Sequence, residues 1–347
     1  MKYDYNICVF TSDRDLGDKK PYAGIQTGQW ITFEPGIEVY YASPALLTWS
    51  NIRKQLMLRN PDFIYLNSMF SKHFTLYPLL ISRARTATKI ILAPRGMLRS
   101  SAVQFKKTKK KLFLKAFAWS GLNRHIKFHA TDKMESTDVK KFFGENATIM
   151  EAGNFPGFVE TYNSYLEKKP GILRVVFIGR IHPIKNLHFL LELLPEIHGE
   201  ILLTVIGGEE DKNYASMCRE IATRMPDRIR IDFVGEVENK NVQGFLYAHH
   251  IFALPTSGEN FGHAIFEALA SGKPVLISDQ TPWRNLQDVK AGWDLPLSSP
   301  HLFVDALQQA ADFDNADYSE WSKQAWSFVN AYVKKNNLKE AYSRLFN

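Results

Sequence analysis

The sequence predicts an α/β fold in which two Rossmann-like domains face a cleft. Short apolar runs alternate with helical patterns along the chain, an arrangement typical of parallel sheets that helices cover on both faces. A stretch punctuated by Gly and Pro, residues 153–171, separates two such series. We therefore predict a first domain at residues 1–155 and a second domain at residues 156–324.

The first domain follows from its apolar runs and the helical patterns between them. Strands are predicted at residues 6–10, 38–41, 63–67, 89–93, 127–130 and 148–150. Helices are predicted at residues 48–59, 77–84, 105–119 and 132–143. A C-terminal helical stretch at residues 318–346 is charged on one side, and its part from about residue 325 to 347 can pack back on this domain.

The second domain shows the same alternation more regularly. Strands are predicted at residues 174–179, 201–207, 230–235, 251–254 and 274–278. Helices are predicted at residues 186–194, 214–224, 239–248 and 262–271. Because parallel sheets bind ligands beyond the carboxyl ends of their strands, a site is expected in the loops that follow these strands.

Composition excludes several classes of protein. Of the 347 residues, 45% are apolar and 23% are charged, as in globular proteins, so a disordered or fibrous protein is excluded. No apolar run is long enough to span a membrane, and the first residues lack the features of a secretory signal. The two cysteines, Cys8 and Cys218, provide neither a disulfide framework nor a thiolate metal cluster. We therefore expect a cytoplasmic protein.

Positive charge is concentrated in the first half of the chain. Residues 1–150 contain 24 Lys and Arg against 11 Asp and Glu, whereas residues 151–347 contain 19 against 25. The net charge of +7 is thus the sum of a basic half and an acidic half. Such an asymmetry indicates that the first half faces a polyanion, and the alternative of a basic surface that only aids solubility stays open.

One segment, residues 255–275, runs from a strand end through a loop into a helix and the next strand. Gly262 stands where the helix begins, so the unpaired amides of the first turn and the positive end of the helix dipole suit a phosphate. Glu259 precedes the helix and Glu267 lies about a turn and a half into it. One carboxylate can bind sugar hydroxyls and the other ribose hydroxyls, although two solvated glutamates are the alternative.

A second segment places two cations after the first strand of the second domain. Arg180 and Lys185 follow Gly179, and fixed cations at a strand's carboxyl end can hold a diphosphate and stabilise its charge as it leaves, without a metal. After the next strand, Gly207 and Gly208 permit a close approach of the backbone to a ligand. For isolated loop cations, simple solvation is the commoner role.

With these segments, residues 174–297 resemble glycosyltransferase family 4, whose members are retaining enzymes of the GT-B fold with nucleotide-sugar donors. The resemblance rests on the Arg180/Lys185 and Glu259/Glu267 pairs and on the motif Ala-Gly-Trp-Asp-Leu-Pro-Leu at residues 291–297. It implies that the catalytic residues are Arg180, Lys185 and Glu259, with the two cations on the donor diphosphate. The implied donor-binding residues are Gly24, Gly179, Gly208, Val237, Asn260, Phe261, Gly262 and Glu267.

The same resemblance gives these donor contacts separate roles. Glu259 and the backbone of residues 260–262 would hold the sugar, Glu267 would bind the ribose, and the loop at Glu236 and Val237 would contact the base. The first half is similar to the family's acceptor domain through residues 92–98 and 129–132. Arg95 stands near a position where many members carry His, and it is the candidate acceptor contact. Gly24 is the candidate contact from the first half to the donor phosphates.

No metal and no cofactor are expected. In a GT-B enzyme the Arg/Lys pair takes the place of a metal, and the nucleoside diphosphate sugar is itself the substrate. Asp13 and Asp15 have the spacing of a metal-binding Asp-x-Asp but are interpreted as a loop cluster after the first strand. The ten histidines show no zinc-type spacing.

The centre of the positive half is the predicted helix at residues 105–119, which includes the basic run from Lys106 to Lys115. Its apolar residues are predicted on one face, opposite the lysines: Phe105, Leu112, Phe113, Phe117 and Trp119. Such a helix can lie on an anionic membrane, where each lysine contributes about 1 kcal/mol, or it can pack on the core with its lysines in water. No nucleic-acid motif accompanies the charge, so no nucleic-acid partner is expected.

The predicted function is a retaining, metal-independent transfer of a sugar from a nucleoside diphosphate sugar to a hydroxyl of a glycan acceptor. The acceptor is expected to be lipid-linked or part of a surface polysaccharide or lipopolysaccharide. If the basic helix binds lipid, the protein is peripheral on the cytoplasmic face of the membrane. Two alternatives stay open: a nucleotide-sugar 2-epimerase, which needs no acceptor, and a non-catalytic protein that binds nucleotides or glycans.

Overall fold

The computed structural model describes residues 5–15, 18–83, 87–104, 107–154, 161–162, 166–335 and 338–347. The chain divides into two compact units, Met1–Gly153 with Leu338–Asn347, and Asn154–Asn337. The sequence placed the boundaries at residues 155/156 and 324/325. The second boundary differs because the long helix that begins at residue 315 packs with the second unit up to its last described turn.

Two groups of strands form the first unit. The strands are β1 (Ile7–Ser12), β2 (Trp30–Glu34), β3 (Ile37–Ala42), β4 (Phe63–Leu66), β5 (Lys89–Leu92), β6 (Ile126–Ala130) and β7 (Ile149–Glu151). One sheet has the order β1-β3-β2 and the other the order β4-β5-β6-β7. The second sheet is parallel throughout, so its carboxyl ends meet at one edge.

The strand β2 departs from the predicted parallel pairing. It was not predicted, and it pairs antiparallel with β3 while β1 and β3 are parallel. The connection between β2 and β3 consists of Pro35 and Gly36, and Gly36 has φ +78°. A two-residue connection with a left-handed glycine makes a hairpin, which forces the two strands to run in opposite directions.

Four helices of the first unit lie close to their predicted positions, whereas the short helix Ser100–Gln104 was not predicted. They are α1 (Trp49–Arg59), α2 (Tyr77–Ser82), α3 (Ser100–Gln104), α4 (Lys107–Trp119) and α5 (Lys133–Phe143). The helix predicted at residues 105–119 corresponds to α4, while Phe105 and Lys106 lie outside the described residues. Asp132 caps α5 by accepting a hydrogen bond from the amide of Glu135 at 2.7 Å, which is the reason that this helix begins where it does.

A single parallel sheet forms the second unit. Its strands are β8 (Ile172–Ile178), β9 (Glu200–Ile206), β10 (Ile229–Gly235), β11 (Ile251–Leu254), β12 (Val275–Ser278) and β13 (Gly292–Leu295), in the order β10-β9-β8-β11-β12-β13. Its helices are α6 (Leu187–Leu193), α7 (Lys212–Ala222), α8 (Asn239–Ala248), α9 (His263–Ala270), α10 (Pro300–Asp312) and α11 (Asn315–Lys335). Only β13 and α10 were not predicted from periodicity. No helix among the described residues has the length and apolarity needed to cross a membrane.

The predicted C-terminal helix is two helices. α11 packs on the core of the second unit through Ala325 and Val329. The following helix, α12 (Leu338–Leu345), packs in the first unit, where Tyr342 and Leu345 contact a cluster with Ile91. The segment that returns to the first unit is therefore shorter than the predicted stretch from residue 325.

Candidate functional site

The predicted donor residues of the second unit lie in loops that follow four neighbouring strands. The loop after β8 carries Arg180, that after β9 carries Gly208, that after β10 carries Val237, and that after β11 carries Glu259. Because β10, β9, β8 and β11 are adjacent and parallel, these loops emerge at the same edge of the sheet. Backbone hydrogen bonds join the loops, for example from the amide of Ile181 to the carbonyl of Gly208 at 2.8 Å.

Hydrogen bonds to the neighbouring loops after β8 and β12 fix the loop after β11. The hydroxyl of Thr256, which is fully buried, donates to the carbonyl of Ile184 at 3.0 Å. The amide of Ser257 donates to the same carbonyl at 2.7 Å, and the amide of Glu259 donates to the carbonyl of Gln280 at 3.1 Å. The loop that presents Glu259 is thus held against the turn that carries Lys185.

The end of this loop is anchored by its aromatic residue. Phe261 is 6% exposed, its ring packs 5.3 Å from that of Trp283, and its carbonyl accepts a hydrogen bond from the Trp283 indole at 2.5 Å. The Phe261 side chain therefore belongs to the core, so only the backbone of this residue is placed to contact a ligand. Asn260 lies between Phe261 and Glu259 in the same loop. Their predicted contacts with a donor sugar stay predictions.

Gly262 begins α9 in a conformation that favours glycine. Its φ is +77°, and a Cβ at this position would lie 2.7 Å from Cδ1 of Ile265. A residue with a side chain would therefore be strained here, both because its φ is left-handed and because its Cβ would lie too close to Ile265. The predicted helix start is where the sequence placed it, at the carboxyl edge of the sheet.

Both predicted cations contact carboxylates in this structure. The ammonium group of Lys185 contacts Glu259, and their side chains are 15% and 14% exposed. The guanidinium of Arg180 contacts Glu210, a more exposed pair at 63% and 46%. Glu210 was not predicted from the sequence, although its position two residues after Gly208, at the end of the neighbouring strand, was a signal that could have identified it.

Glu267 is a half-buried carboxylate in α9. Burial raises the pKa of Glu267 above its ordinary value, and no other cause contributes. No hydrogen bond or ion pair joins its carboxylate to another of the residues that the structure describes. Because a half-buried carboxylate is stabilised by hydrogen bonds, this group is suited to accept hydroxyl donors from a ligand.

The two glycines after β9 pack closely against neighbouring parts of the second unit. Gly207 has φ +145°, and a Cβ there would lie 2.1 Å from the carbonyl oxygen of Gly179. This close approach is between two strand ends, and the predicted approach of Gly207 and Gly208 to a ligand stays a prediction. At Gly208 a Cβ would lie 2.1 Å from Oε1 of Glu236, so the Glu236 side chain covers this glycine. Val237 packs partly against the core.

A directed chain of hydrogen bonds orients Arg95 in the first unit. His129 is fully buried, and its Nε2 lies 2.7 Å from the carbonyl of Ala152. A carbonyl only accepts, so Nε2 carries the proton and Nδ1 accepts from the Tyr65 hydroxyl at 2.6 Å. The Tyr65 oxygen then accepts from the Arg95 guanidinium at 2.9 Å, while Asn67 accepts from Arg95 Nε at 2.7 Å. Burial lowers the pKa of His129 to about 4, which keeps the imidazole neutral at physiological pH.

A buried carboxylate that was not predicted from the sequence holds the Arg95 loop. Glu135 is fully buried and accepts hydrogen bonds from the amide of Gly96 at 2.6 Å and from the amide and hydroxyl of Thr131 at 2.8 Å. Arg95 has φ +53°, and Gly96 has φ +75°. A residue other than glycine is strained in the left-handed region, so Arg95 needs surroundings that fix it, and Glu135 provides them by holding the amide of Gly96. The pattern Asp132-x-x-Glu135 at a helix start was the available signal.

The remaining candidates lie after β1. Gly24 has φ +74°, which favours glycine, and no other atom lies within 4 Å of the place where a Cβ would stand. Its predicted donor contact stays a prediction. Asp13 accepts from Arg14 Nε at 2.7 Å, and Asp15 accepts from the Tyr22 hydroxyl at 2.6 Å. Among the described residues no group of three or more His, Cys, Asp and Glu side chains is arranged to hold a metal ion.

Part of the chain is similar to a known family of glycosyl transferases. Residues 173–312 match a family model described as glycosyl transferases group 1. A phosphatidyl-myo-inositol mannosyltransferase of Mycobacterium leprae is 31% identical over 140 residues, 38% of this chain and 36% of that protein. The chain therefore matches only about a third of the length of that relative. The match confirms the resemblance to glycosyltransferases that was predicted from residues 174–297.

Solved structures resemble the chain over a greater length. A sucrose-phosphate synthase from Thermosynechococcus elongatus covers 99% of this chain and 90% of its own, with a TM-score of 0.72 at 15% identity. HepE from Anabaena, in complex with UDP and glucose, covers 89% of this chain and 84% of its own, with a TM-score of 0.67 at 15% identity. At such low identity these likenesses establish the fold alone, and the predicted fold class is confirmed.

Proposed function

Since residues 173–312 match the group 1 glycosyl transferases, we propose that the protein transfers a sugar from a nucleoside diphosphate sugar to a hydroxyl of a glycan acceptor. The observation that carries this proposal is the position of Arg180 and Lys185, which follow β8 at the carboxyl edge of the sheet, next to the loop with Glu259. Two cations and a carboxylate at this edge match a ligand with a diphosphate and a sugar. The structurally similar HepE was solved with UDP and glucose, which is consistent with such a donor.

The reaction breaks the bond between the anomeric carbon and the diphosphate oxygen and forms a bond to the acceptor oxygen. We propose that the new bond forms on the same face of the sugar, so that the anomeric configuration is retained. The guanidinium of Arg180 and the ammonium of Lys185 would stabilise the negative charge that develops on the leaving diphosphate. The acceptor proton would pass to a leaving phosphate oxygen, which needs neither a metal nor a separate base.

The carboxylates at the carboxyl edge of the sheet would orient the nucleotide-sugar donor. Glu259, in the loop after β11, would accept hydrogen bonds from the sugar hydroxyls. Glu267, whose carboxylate lacks a partner among the described residues, would accept from the ribose hydroxyls. Hydroxyl groups bound to carboxylates form charge-assisted hydrogen bonds, which are about twice as strong as neutral ones.

A thermal-shift series tests the donor proposal. We expect one of UDP, GDP, ADP, CDP and dTDP to raise the melting temperature, because a ligand that binds only the folded state stabilises it by mass action. The corresponding nucleotide sugar, with a glycan acceptor, should then give turnover that EDTA leaves unchanged. Loss of activity with EDTA would overturn metal independence, and the formation of an epimer from donor alone would favour the epimerase. Tight nucleotide binding without turnover of any donor would favour a non-catalytic protein.

The exposed face of α4 supports a lipid-linked acceptor at an anionic membrane. Leu114 and Phe117 of this helix are buried in the core, and Phe113 packs against it, whereas Leu112 is 69% exposed and Trp119 is 92% exposed. The prediction that Leu112, Phe113, Phe117 and Trp119 share one face is wrong, because Phe113 and Phe117 pack on the core. Leu112 and Trp119 are two turns apart, so they lie on the same side of the helix, and that side points away from Leu114. They lie instead among exposed lysines, and an amphipathic aromatic ring beside lysines is typical of a membrane interface.

We expect the protein to float with vesicles that contain anionic lipid and to remain unbound with neutral vesicles. The variant Trp119→Ser should reduce this binding, because it removes the largest exposed apolar group, while its melting temperature should not change. Ser120→Ala at the neighbouring exposed position is the control. Equal partition of the wild-type protein to both kinds of vesicle would contradict the proposal. A cytoplasmic location on the inner face of a membrane is part of the same proposal.

A further inference from the structure

The donor edge of the second unit contains a carboxylate that competes with the proposed ligand. Arg180 follows β8 and contacts Glu210, which follows β9 and lies just before α7. Glu210 also lines a cavity of about 330 Å³ together with His182, Asp211 and Lys212. The partner of Arg180 in the structure is thus an acidic side chain at the place where the proposed function puts a diphosphate.

A guanidinium that holds a diphosphate through paired N–H donors cannot keep the same donors on a carboxylate. Binding of the diphosphate therefore requires that Glu210 leaves Arg180, and departure of the product allows Glu210 to return. We propose that Glu210 is an internal competitor of the diphosphate at Arg180, which lowers the affinity for the donor and its product and speeds product release. This inference rests on the proposed function.

The exposure of the Arg180–Glu210 ion pair indicates how strongly Glu210 competes with the diphosphate. At 63% and 46% exposure, the Arg180–Glu210 pair belongs to the class of surface ion pairs, whose coupling is small. The exchange is therefore reversible, and it adjusts affinity without blocking the site. We expect Glu210 to change the dissociation constant by about two- to fivefold, which is the range that such pairs give. The change should appear mainly in the dissociation rate of the nucleotide.

The neighbouring Glu209 provides a matched control. Its carboxylate accepts from Arg219 Nη2 at 2.6 Å, and Arg219 in turn lies over the ring of Phe233. Glu209→Gln removes the same charge one residue away, but it leaves the partner of Arg180 in place. The difference in nucleotide affinity between Glu210→Gln and Glu209→Gln therefore measures the effect of the Arg180–Glu210 contact. The general effect of removing a negative charge is common to both variants.

The experiment is a calorimetric titration of the full chain with the nucleoside diphosphate that gives the largest thermal shift. We expect Glu210→Gln to bind it about two- to fivefold more tightly than Glu209→Gln does, and to release it more slowly in stopped flow. In an Arg180→Gln background the substitution Glu210→Gln should give no further gain, because competition requires Arg180. A gain in affinity that disappears without Arg180 shows that the two residues are coupled, and a merely structural role of Glu210 would not produce such coupling.

Failure of the inference and failure of the proposed function give different results. Equal affinities of Glu210→Gln and Glu209→Gln, or a gain that persists without Arg180, would overturn the inference and leave the proposed function intact. If the wild-type protein binds none of the nucleoside diphosphates, the proposed function and the inference both fail.

Discussion

Replacing Lys185 with alanine should lower kcat about 100- to 1,000-fold, which is the usual effect of removing one group that stabilises charge in a transition state. Lys185 lies in the turn after β8, beside Glu259, and its side chain is only 15% exposed. In this position water cannot fully replace the ammonium group on the leaving diphosphate. The measurement is steady-state turnover of the nucleotide sugar that the thermal-shift series identifies, and the donor KM should change less than kcat.

Two further variants show whether the effect is specific. Lys290→Ala removes an exposed lysine that pairs with Glu320 at 2.7 Å, and it should leave kcat unchanged. Lys185→Arg retains the positive charge and should recover part of the activity. Since Lys185→Ala also leaves Glu259 without its cation, the melting temperature should be recorded for each variant. Near-wild-type turnover of a folded Lys185→Ala protein would remove the role assigned to this lysine.

The variant Glu267→Gln should raise the donor KM about tenfold and leave kcat nearly unchanged. The amide keeps the shape of the side chain but loses the charge that strengthens hydrogen bonds to ribose hydroxyls, and a hydrogen bond to a charged group contributes about 1.5–3 kcal/mol. The same substitution should raise the melting temperature at neutral pH. Steady-state kinetics and thermal melts of one preparation measure both effects.

The sign of the stability effect follows from the raised pKa of Glu267. Between the ordinary pKa and the raised one, the unfolded chain has ionised this carboxyl while the folded protein still holds the proton. The folded state therefore loses stability as the pH rises through this interval, and the loss is complete above it. Glu267→Gln should match the wild-type melting temperature at low pH and exceed it above the interval. A lower melting temperature at neutral pH would contradict an unpartnered carboxylate, and Glu220→Gln on the surface of α7 is the control.

The sequence predicted the second unit well because two independent signals agree there. Strands of apolar residues alternate with amphipathic helices, and Gly or Asn marks several ends, so periodicity and punctuation place the same elements. The strand β13 was missed because its residues, Gly292–Leu295, include a glycine and an aspartate and so form no apolar run. In the first unit the hairpin partner β2 was missed because its sequence, Trp-Ile-Thr-Phe-Glu, does not alternate strictly between apolar and polar residues.

The sequence predicted individual residues of the candidate site but not the contacts between them. Arg180, Lys185, Glu259 and Glu267 were found because they lie in motifs near strand ends. Their partners were not found, because a contact such as Arg180 with Glu210 joins loops that are 30 residues apart and depends on the order of strands in the sheet. The support of Arg95 by Tyr65 and His129 depends in the same way on three neighbouring strand ends.

The position of a bound nucleotide is the central claim, and a crystal structure of the protein with the nucleoside diphosphate selected by thermal shift tests it most directly. We expect the phosphate oxygens to lie within hydrogen-bond distance of Arg180 and Lys185, with Glu210 displaced from the guanidinium and the ribose hydroxyls on Glu267. A diphosphate bound elsewhere, with the Arg180–Glu210 and Lys185–Glu259 contacts both retained, would contradict the claim.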